Sequence, residues 1–180
     1  MQSIQTVSEN TIYVGASDRR LAKFENLFPI PRGVSYNAYV ILDEKTALLD
    51  TADASVGAQF LENVAAALDG RKLDYLIVDH MEPDHAAMIE AVLVRWPDLR
   101  LVVNAKTLPM LKMYFPTDSA AIDDALVVKE GDTLDLGKHK LTFVMAPMVH
   151  WPEVMMTFDT TTGTLFSADA FGTFGALEGA

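Results

Sequence analysis

Residues 75–85 read Tyr-Leu-Ile-Val-Asp-His-Met-Glu-Pro-Asp-His, a stretch in which an apolar run is followed by four potential metal ligands within the six residues 80–85. The run at 75–78 predicts a buried strand, and Pro83 prevents the following residues from continuing that strand regularly. We therefore expect a loop at the strand end to present four side chains: His80, Glu82, Asp84 and His85. Two imidazoles and two carboxylates this close together are costly unless something compensates the charge repulsion and the lost hydration. A pair of metal ions would do so, and we favour that interpretation over a solvated polar loop.

The composition of the chain limits the classes of protein to which it can belong. At 180 residues, half of them hydrophobic, the sequence predicts one domain with a substantial core. The formal charge of −11 argues against a nucleic-acid partner, because no basic stripe exists to replace counterions on phosphate. The sequence contains no cysteine, which excludes thiolate-ligated zinc and iron–sulfur clusters. Any metal held by this chain must therefore take nitrogen and oxygen ligands.

The sequence carries no signal for membrane insertion or export. Residues 1–10 are polar and have neither the basic nor the apolar segment of a signal peptide. No apolar run approaches the roughly 18–20 residues that a membrane span needs. The negative charge does not suit an anionic membrane surface either. We expect a soluble, cytoplasmic protein with no membrane partner.

The hydrophobic patterns predict a layered α/β domain. They predict strands over residues 11–15, 36–42, 46–50, 73–78, 100–103, 126–129, 133–136, 140–146, 154–158 and 164–167. They predict helices over residues 55–68, from 84 or 85 to 95, and 106–114. The turn at residues 43–45 predicts a hairpin, and we expect residues 116–124 to form an exposed loop. Early strands followed by strand–helix alternation favour two sheets with helices outside them.

Two further candidate ligands follow later strands. His150 comes after the strand at 140–146, and Asp169 comes after the strand at 164–167. Taken alone, each has an ordinary alternative: a packed loop histidine beside a tryptophan, and an acid that caps a turn or a helix. Together with the cluster at 80–85, they place ligands at three strand ends, which can converge on one edge of a sheet layer. An acid such as Asp169 can bridge two cations through its two oxygens.

Three motifs together resemble the metallo-β-lactamase-like domain of flavodiiron proteins. These motifs are His-x-Glu-x-Asp-His at residues 80–85, His150-Trp151-Pro152, and Leu165-Phe166-Ser167-Ala168-Asp169-Ala170-Phe171-Gly172. Residues 32–39 and 48–51 are also similar to the N-terminal strands of that family, so the resemblance covers essentially the whole chain, 1–180. It implies a four-layer αββα sandwich that is incomplete at the C-terminus.

The resemblance implies a diiron centre with no catalytic residues beyond the metal ligands. By the family's pattern, one iron is held by His80, Glu82 and His150, and the other by Asp84 and His85, with Asp169 as the bridge. Family members differ in whether the histidine at the position of His85 ligates. Zinc hydrolases of the superfamily carry His-x-His-x-Asp-His, whereas Glu82 here replaces the middle histidine. A harder, anionic oxygen suits iron better than a zinc pair, although zinc can occupy such a site in a purified fragment.

The resemblance also implies a reaction and partners. Flavodiiron proteins are cytoplasmic enzymes that reduce O2 to water or NO to N2O with electrons from FMN. They accept electrons from a rubredoxin-like or flavin donor, and they form head-to-tail homodimers or tetramers. The second iron of the family takes a further histidine from later in the chain, and a flavodoxin-like FMN domain follows. Neither is found in this sequence, so we expect a piece of a longer protein that is inactive alone, with FMN in the missing domain or in a partner chain.

Two alternative functions stay open at this point. One is a diiron sensor that binds O2 or NO without a flavin domain, and the other is a metal-dependent hydrolase of the same superfamily. Family members often carry a histidine near position 25 and another soon after Ala-Phe-Gly, where this chain has Glu25 and Thr173. The remaining histidine, His139, lies between two lysines, which suggests a hairpin turn rather than a ligand. The candidates for an apolar lining are Phe24, Phe28, Trp151 and Phe171.

Overall fold

Two sheets dominate the computed structural model, which describes residues 4–115 and 120–177. The strands are β1 (Gln5–Ser8), β2 (Thr11–Tyr13), β3 (Ala16–Asp18), β4 (Lys23–Phe24), β5 (Phe28–Pro29), β6 (Val34–Tyr36), β7 (Tyr39–Leu42), β8 (Thr46–Leu49), β9 (Tyr75–Ile77), β10 (Arg100–Asn104), β11 (Leu126–Val128), β12 (Thr133–Asp135), β13 (Lys140–Met145), β14 (Met155–Asp159) and β15 (Thr164–Phe166). The α-helices are α1 (Gly57–Leu68), α2 (Pro83–Ala86), α3 (Ile89–Arg95), α4 (Thr107–Tyr114) and α5 (Ala120–Asp123), and a 3₁₀ turn at Ala54–Val56 precedes α1.

The larger sheet has seven strands in the order β1-β2-β7-β8-β9-β10-β11. Its first half is antiparallel, and the predicted hairpin at residues 43–45 joins β7 to β8. From β8 to β11 the strands are parallel, because helices carry the chain back between them. The carboxyl ends of β8, β9 and β10 therefore lie at the same edge of the sheet.

The smaller sheet is an antiparallel meander, β12-β13-β14-β15, that faces the larger one. A buried apolar cluster fills the space between the two sheets. It contains Ile41, Ala47, Leu49, Ile77, Val102 and Val128 from the larger sheet, and Leu134, Leu136, Leu141, Phe143, Met155 and Phe166 from the smaller side. In sheet-on-sheet packing of this kind, every second side chain along a strand points into the space between the sheets and is buried there.

The helices all pack on the opposite face of the larger sheet. Their core residues, such as Phe60 of α1 and Val92 of α3, share a second buried cluster with Leu48, Leu76 and Leu101 of the sheet. The predicted arrangement of two sheets with helices outside is thus confirmed. Residues 4–115 and 120–177 form three successive layers, helices, larger sheet and smaller sheet. None of the helices in this part of the chain is both long enough and apolar enough to cross a lipid bilayer.

The predicted strand over residues 36–42 is wrong as a single strand. The structure divides it into β6, which pairs with β3 in a separate two-stranded sheet, and β7, which pairs with β2 in the larger sheet. The division falls at Asn37–Ala38, where Val14 N–H bonds to Ala38 O. The partner strands separate at Val14–Gly15, so the chain changes sheets with them. The short strands β1, β3, β4 and β5 were not predicted at all.

The predicted continuous helix ending at Arg95 is also wrong, because it is broken between α2 and α3. The Thr51 hydroxyl donates to the His85 carbonyl at 2.6 Å and accepts the Met88 N–H at 3.3 Å. The Thr51 N–H also bonds to the His85 carbonyl, at 2.8 Å. Thr51, in the loop after β8, thus binds a carbonyl and an N–H group that a continuous helix would pair within its own turns, and the helix is interrupted there.

The exposed loop predicted at residues 116–124 is wrong in its second part. Residues 116–119 lie outside the described residues. Residues 120–123 form α5, whose Ile122 is buried against the larger sheet. One apolar residue was too weak a periodic signal to predict so short a helix.

Candidate metal centre

The candidate ligands come from three chain segments that end at one edge of the two sheets. His80 and Glu82 lie in the loop after β9, and Asp84 and His85 follow on α2. Asp84 and His85 thus lie in a helix, as the predicted helix start at residue 84 or 85 requires, and not in the loop that holds His80 and Glu82. Pro83 begins the helix at its first position, where its missing N–H costs nothing. The other two candidates, His150 and Asp169, lie after β13 and after β15 of the smaller sheet.

Asp50, just after β8, holds the ligand loop in place. Its Oδ1 accepts the backbone N–H of Asp79 at 2.7 Å and lies 3.4 Å from that of His80. Its Oδ2 lies 3.0 Å from Nδ1 of His85. Asp50 has a left-handed backbone, with φ of 54°, as do Met148 and Ala168 beside the later ligands. Such conformations cost about 1–3 kcal/mol each and cluster where the surroundings impose a functional geometry.

The first group of ligand atoms contains His80, Glu82, His150 and Asp169, with all four atoms within 4.8 Å of one another. Glu82 Oε2 lies 3.2 Å from His80 Nε2 and 2.8 Å from His150 Nε2. Asp169 Oδ2 lies 3.4 Å from His80 Nε2 and 3.2 Å from His150 Nε2. Both imidazoles thus direct Nε2 toward the same two carboxylate oxygens.

The second group contains Asp84, His85 and Asp169, again with their atoms within 4.8 Å of one another. His85 Nε2 lies 2.8 Å from Asp169 Oδ1 and 3.7 Å from Asp84 Oδ2. Asp169 therefore faces the first group with Oδ2 and the second group with Oδ1. This is the arrangement that a carboxylate needs to bridge two cations about 3.5–4 Å apart.

The donor atoms suit hard or borderline metal ions. The two groups together offer imidazole nitrogens and carboxylate oxygens, the set that binds iron, manganese or zinc. Asp84 Oδ1 is buried and has no hydrogen-bond partner in the described part of the chain. Burial raises the pKa of Asp84 to about 6. A cation beside this oxygen would compensate a buried carboxylate oxygen that no other described group satisfies, so the residues fit a metal pair.

The electrostatics of the cluster also favour positive charge at its centre. Burial opposes protonation of His80, but the hydrogen bond with Asp169 helps to raise its pKa to about 9. The pKa of His85 is raised well above its usual value in the same way, against burial, by Asp169 and Asp50. The pKa of Asp169 is lowered despite its burial, because both imidazoles hydrogen-bond to it. Metal ions bound here would compete with these imidazole protons.

A cavity of about 440 Å³ opens onto the ligands. Its polar wall includes Glu82, Asp84, His150 and Asp169, and its apolar wall includes Phe24, Phe28 and Phe174. The predicted lining is therefore right for Phe24 and Phe28. Phe171 instead is 90% exposed and borders a neighbouring cavity, while Trp151 packs edge-on against the His80 ring at 5.4 Å. Phe174 was missed because no periodic pattern marks it.

Glu25 and Thr173 also border this cavity. Glu25 is exposed and has a left-handed backbone, with φ of 50°. A hydrogen bond with Glu82 raises the pKa of Glu25. The cavity mouth therefore presents a carboxyl group to the ligands.

Comparisons with known proteins give a consistent result. The family model described as "ODP family beta lactamase" matches residues 34–179. The anaerobic nitric oxide reductase flavorubredoxin of Klebsiella pneumoniae is 37% identical over 168 residues, which cover 92% of this chain and 34% of the relative. The rubredoxin oxygen:oxidoreductase structure from Desulfovibrio gigas superposes with a TM-score of 0.91 at 31% identity, covering 98% of this chain and 43% of that one. The flavodiiron protein structure from Giardia intestinalis gives 0.91 at 28% identity, with coverage of 99% and 42%. The chain thus spans less than half the length of these proteins.

Proposed function

Because the chain belongs to the ODP family of beta lactamases, we propose that it is the diiron-centre domain of a flavodiiron oxidoreductase. The resemblance to flavodiiron proteins and their metallo-β-lactamase-like fold is confirmed by the relatives and the solved structures. The proposed domain spans residues 1–180. In the proposed parent protein, O2 is reduced to water or NO to N2O with electrons from FMN.

The observation that carries this proposal is the position of Asp169 between two ligand groups. Its Oδ2 faces His80 and His150, and its Oδ1 faces His85. A single-metal site would not need both oxygens directed at separate imidazoles. We therefore assign His80, Glu82, His150 and Asp169 to one iron, and Asp84, His85 and Asp169 to the other.

Glu82 supports iron rather than a hydrolytic zinc pair. Its carboxylate stands between the Nε2 atoms of His80 and His150, where zinc hydrolases of the superfamily have a third imidazole. An anionic oxygen at this point stabilises the harder, more highly charged Fe(III) as well as Fe(II). A pair of iron ions supplies the redox chemistry of the proposed reaction. The relatives support this function over the hydrolase and gas-sensor alternatives.

The protein's own contribution is to hold and shield this pair. Ligands such as His80 and Glu82 are buried, so the packing around them restricts where their donor atoms can point. Phe24, Phe28 and Phe174 line one wall of the cavity and give the ligands an apolar neighbour. Electrons would arrive from FMN in another domain or a partner chain, supplied by a rubredoxin-like or flavin donor. We propose a head-to-tail oligomer in the cytoplasm as the working form.

The proposal is tested by metal analysis after anaerobic loading. The unchanged chain is incubated with equal Fe(II) and Zn(II), desalted, and analysed by mass spectrometry for metal content. We expect up to about two metal ions per chain, with the group of His80, Glu82, His150 and Asp169 filled first, and we expect Glu82→His to raise the zinc-to-iron ratio on the order of tenfold. Glu90→His is the matched control, since it adds an imidazole at an exposed position on α3. An unchanged ratio in Glu82→His would contradict the assignment of Glu82 to the iron site.

A further inference from the structure

Glu153 is a buried carboxylate that faces the back of a proposed metal ligand. It lies in the loop between β13 and β14, three residues after His150, and its side chain is fully buried. Its Oε1 lies 2.8 Å from His80 Nδ1, the ring nitrogen that points away from the ligand groups. The His80 side chain is also fully buried, and its Nε2 is the atom directed toward Glu82 and Asp169.

We propose that Glu153 is a positioning residue for the metal centre, which keeps His80 in the form that binds metal through Nε2. This inference rests on the proposed function, since it requires a metal at the ligand groups. Glu153 itself is too far behind the ring to ligate and belongs to neither ligand group. By accepting the Nδ1 proton, its carboxylate selects the tautomer whose Nε2 carries a free lone pair, and it makes that nitrogen a stronger donor.

The same carboxylate oxygen also holds the backbone of the ligand loop. Glu153 Oε1 accepts the N–H of Met81 at 3.0 Å, so one atom orients both the His80 ring and the peptide that leads to Glu82. Two side chains at the end of β10 and just after it hold this segment in turn: Asn104 Nδ2 donates to the Glu153 carbonyl at 2.5 Å, and Lys106 Nζ donates to the Pro152 carbonyl at 3.1 Å. Glu153 thereby ties the loop that carries His150 to the loop that carries His80.

The second carboxylate oxygen of Glu153 indicates that this residue does more than accept hydrogen bonds from the loop. Glu153 Oε2 is buried and has no hydrogen-bond partner within residues 4–115 and 120–177. An amide or hydroxyl side chain could satisfy the Met81 N–H without burying an unpaired charged oxygen. The cost of keeping a carboxylate here is explained if its negative charge acts on the His80 ring and on the cation that the ring binds.

A matched pair of variants tests this role. Cobalt(II) is the probe, because its absorption spectrum reports ligation directly, and affinity is measured by titration of the unchanged chain and of each variant. We expect Glu153→Gln to weaken cobalt binding about tenfold and Glu153→Ala up to about 100-fold, with an altered ligand-field spectrum. Asp159→Asn is the control, because it removes a buried carboxylate from an imidazole at the other end of β14. It should bind cobalt as the unchanged chain does.

A second measurement needs no variant. In the unchanged chain loaded with zinc alone, histidine ¹⁵N NMR should show His80 protonated at Nδ1 and bound through Nε2. The outcomes are distinguishable: no metal binding by the unchanged chain would overturn the proposed function, and this inference with it. Normal metal binding together with unweakened Glu153→Gln, or with His80 bound through Nδ1, would overturn this inference alone.

Discussion

Glu153 and Asp159 stand at opposite ends of β14, and each lies 2.8 Å from Nδ1 of a buried histidine. Asp159 is the last residue of β14 and Glu153 lies two residues before its first residue, Met155, so the strand between them extends roughly 13 Å. At one end, His80 directs its other nitrogen toward two carboxylates of the proposed metal centre. At the other end, Nε2 of His139 is buried with no hydrogen-bond partner among the described residues. A buried carboxylate–imidazole pair is therefore not sufficient for a metal site.

The two ends differ in what surrounds the imidazole. The His139 backbone joins the two sheets: its N–H donates to Asp43 Oδ2 at 2.6 Å, and its carbonyl accepts from Leu136. Asp159 also accepts from the Thr162 hydroxyl at 2.7 Å, so its oxygens are occupied by neighbours. These groups connect the hairpin at residues 43–45 to the turn before β13. The expectation that His139 lies in a hairpin turn agrees with the pairing of β12 and β13. The His139–Asp159 pair therefore holds two turns together, whereas at the other end of β14 the proposed metal centre brings together acidic side chains from three chain segments.

Asp169→Asn should cause the largest loss of metal affinity at the proposed metal centre. The substitution removes the charge and one of the two acceptor oxygens that the two ligand groups share. A shared ligand should cost more than the roughly 10–100-fold loss in metal affinity typical of outer partners. Isothermal titration with Zn(II) measures the affinity, and metal content after iron loading should fall for both sites. Retention of two tightly held ions would contradict a bridging role for Asp169.

Asp159→Asn, beside His139, should lower the stability of the protein and leave its metal affinity unchanged. The free energy of unfolding should fall by about 1–3 kcal/mol, because His139, Thr162 and the Thr161 N–H lose a charged acceptor. Urea denaturation measures this loss, and metal affinity should stay within about twofold of the unchanged chain. If metal affinity instead fell as far as in Asp169→Asn, the two ends of β14 would be coupled, and the assignment of a structural role to one and a metal centre to the other would be wrong.

The last prediction concerns protons at the proposed metal centre. The pKa of His80 is raised to about 9, so this ring is protonated at neutral pH until a metal displaces the proton. Metal affinity should therefore rise about tenfold for each pH unit between roughly 7 and 9, and level off above that range. Competition with a chelator at several pH values measures the slope, and Asp159→Asn should leave it unchanged. A flat profile would show that His80 releases no proton on binding metal.

Local sequence patterns were sufficient to predict most elements and the ligand chemistry. The apolar run before His80 forms β9, and the helical spacing at residues 55–68 appears as a 3₁₀ turn followed by α1. Pro83 and the acidic and imidazole side chains around it also predicted a metal site without reference to the fold. The boundaries failed where a distant residue intervened. Thr51 divides the helix that leads to Arg95, and nothing near residues 84–95 reveals that contact.

The residue types determined by themselves that any metal here meets nitrogen and oxygen, and that the donors follow strand ends. Only the packed sheets decided which atoms meet. The two oxygens of Asp169 are divided between imidazoles up to 89 positions away, and Glu153 reaches His80 across 73 positions. Such contacts depend on strand register and on the way the smaller sheet lies against the larger one. Side-chain chemistry is local to a residue, whereas the position of one strand end against another is set by the burial of the whole core between them.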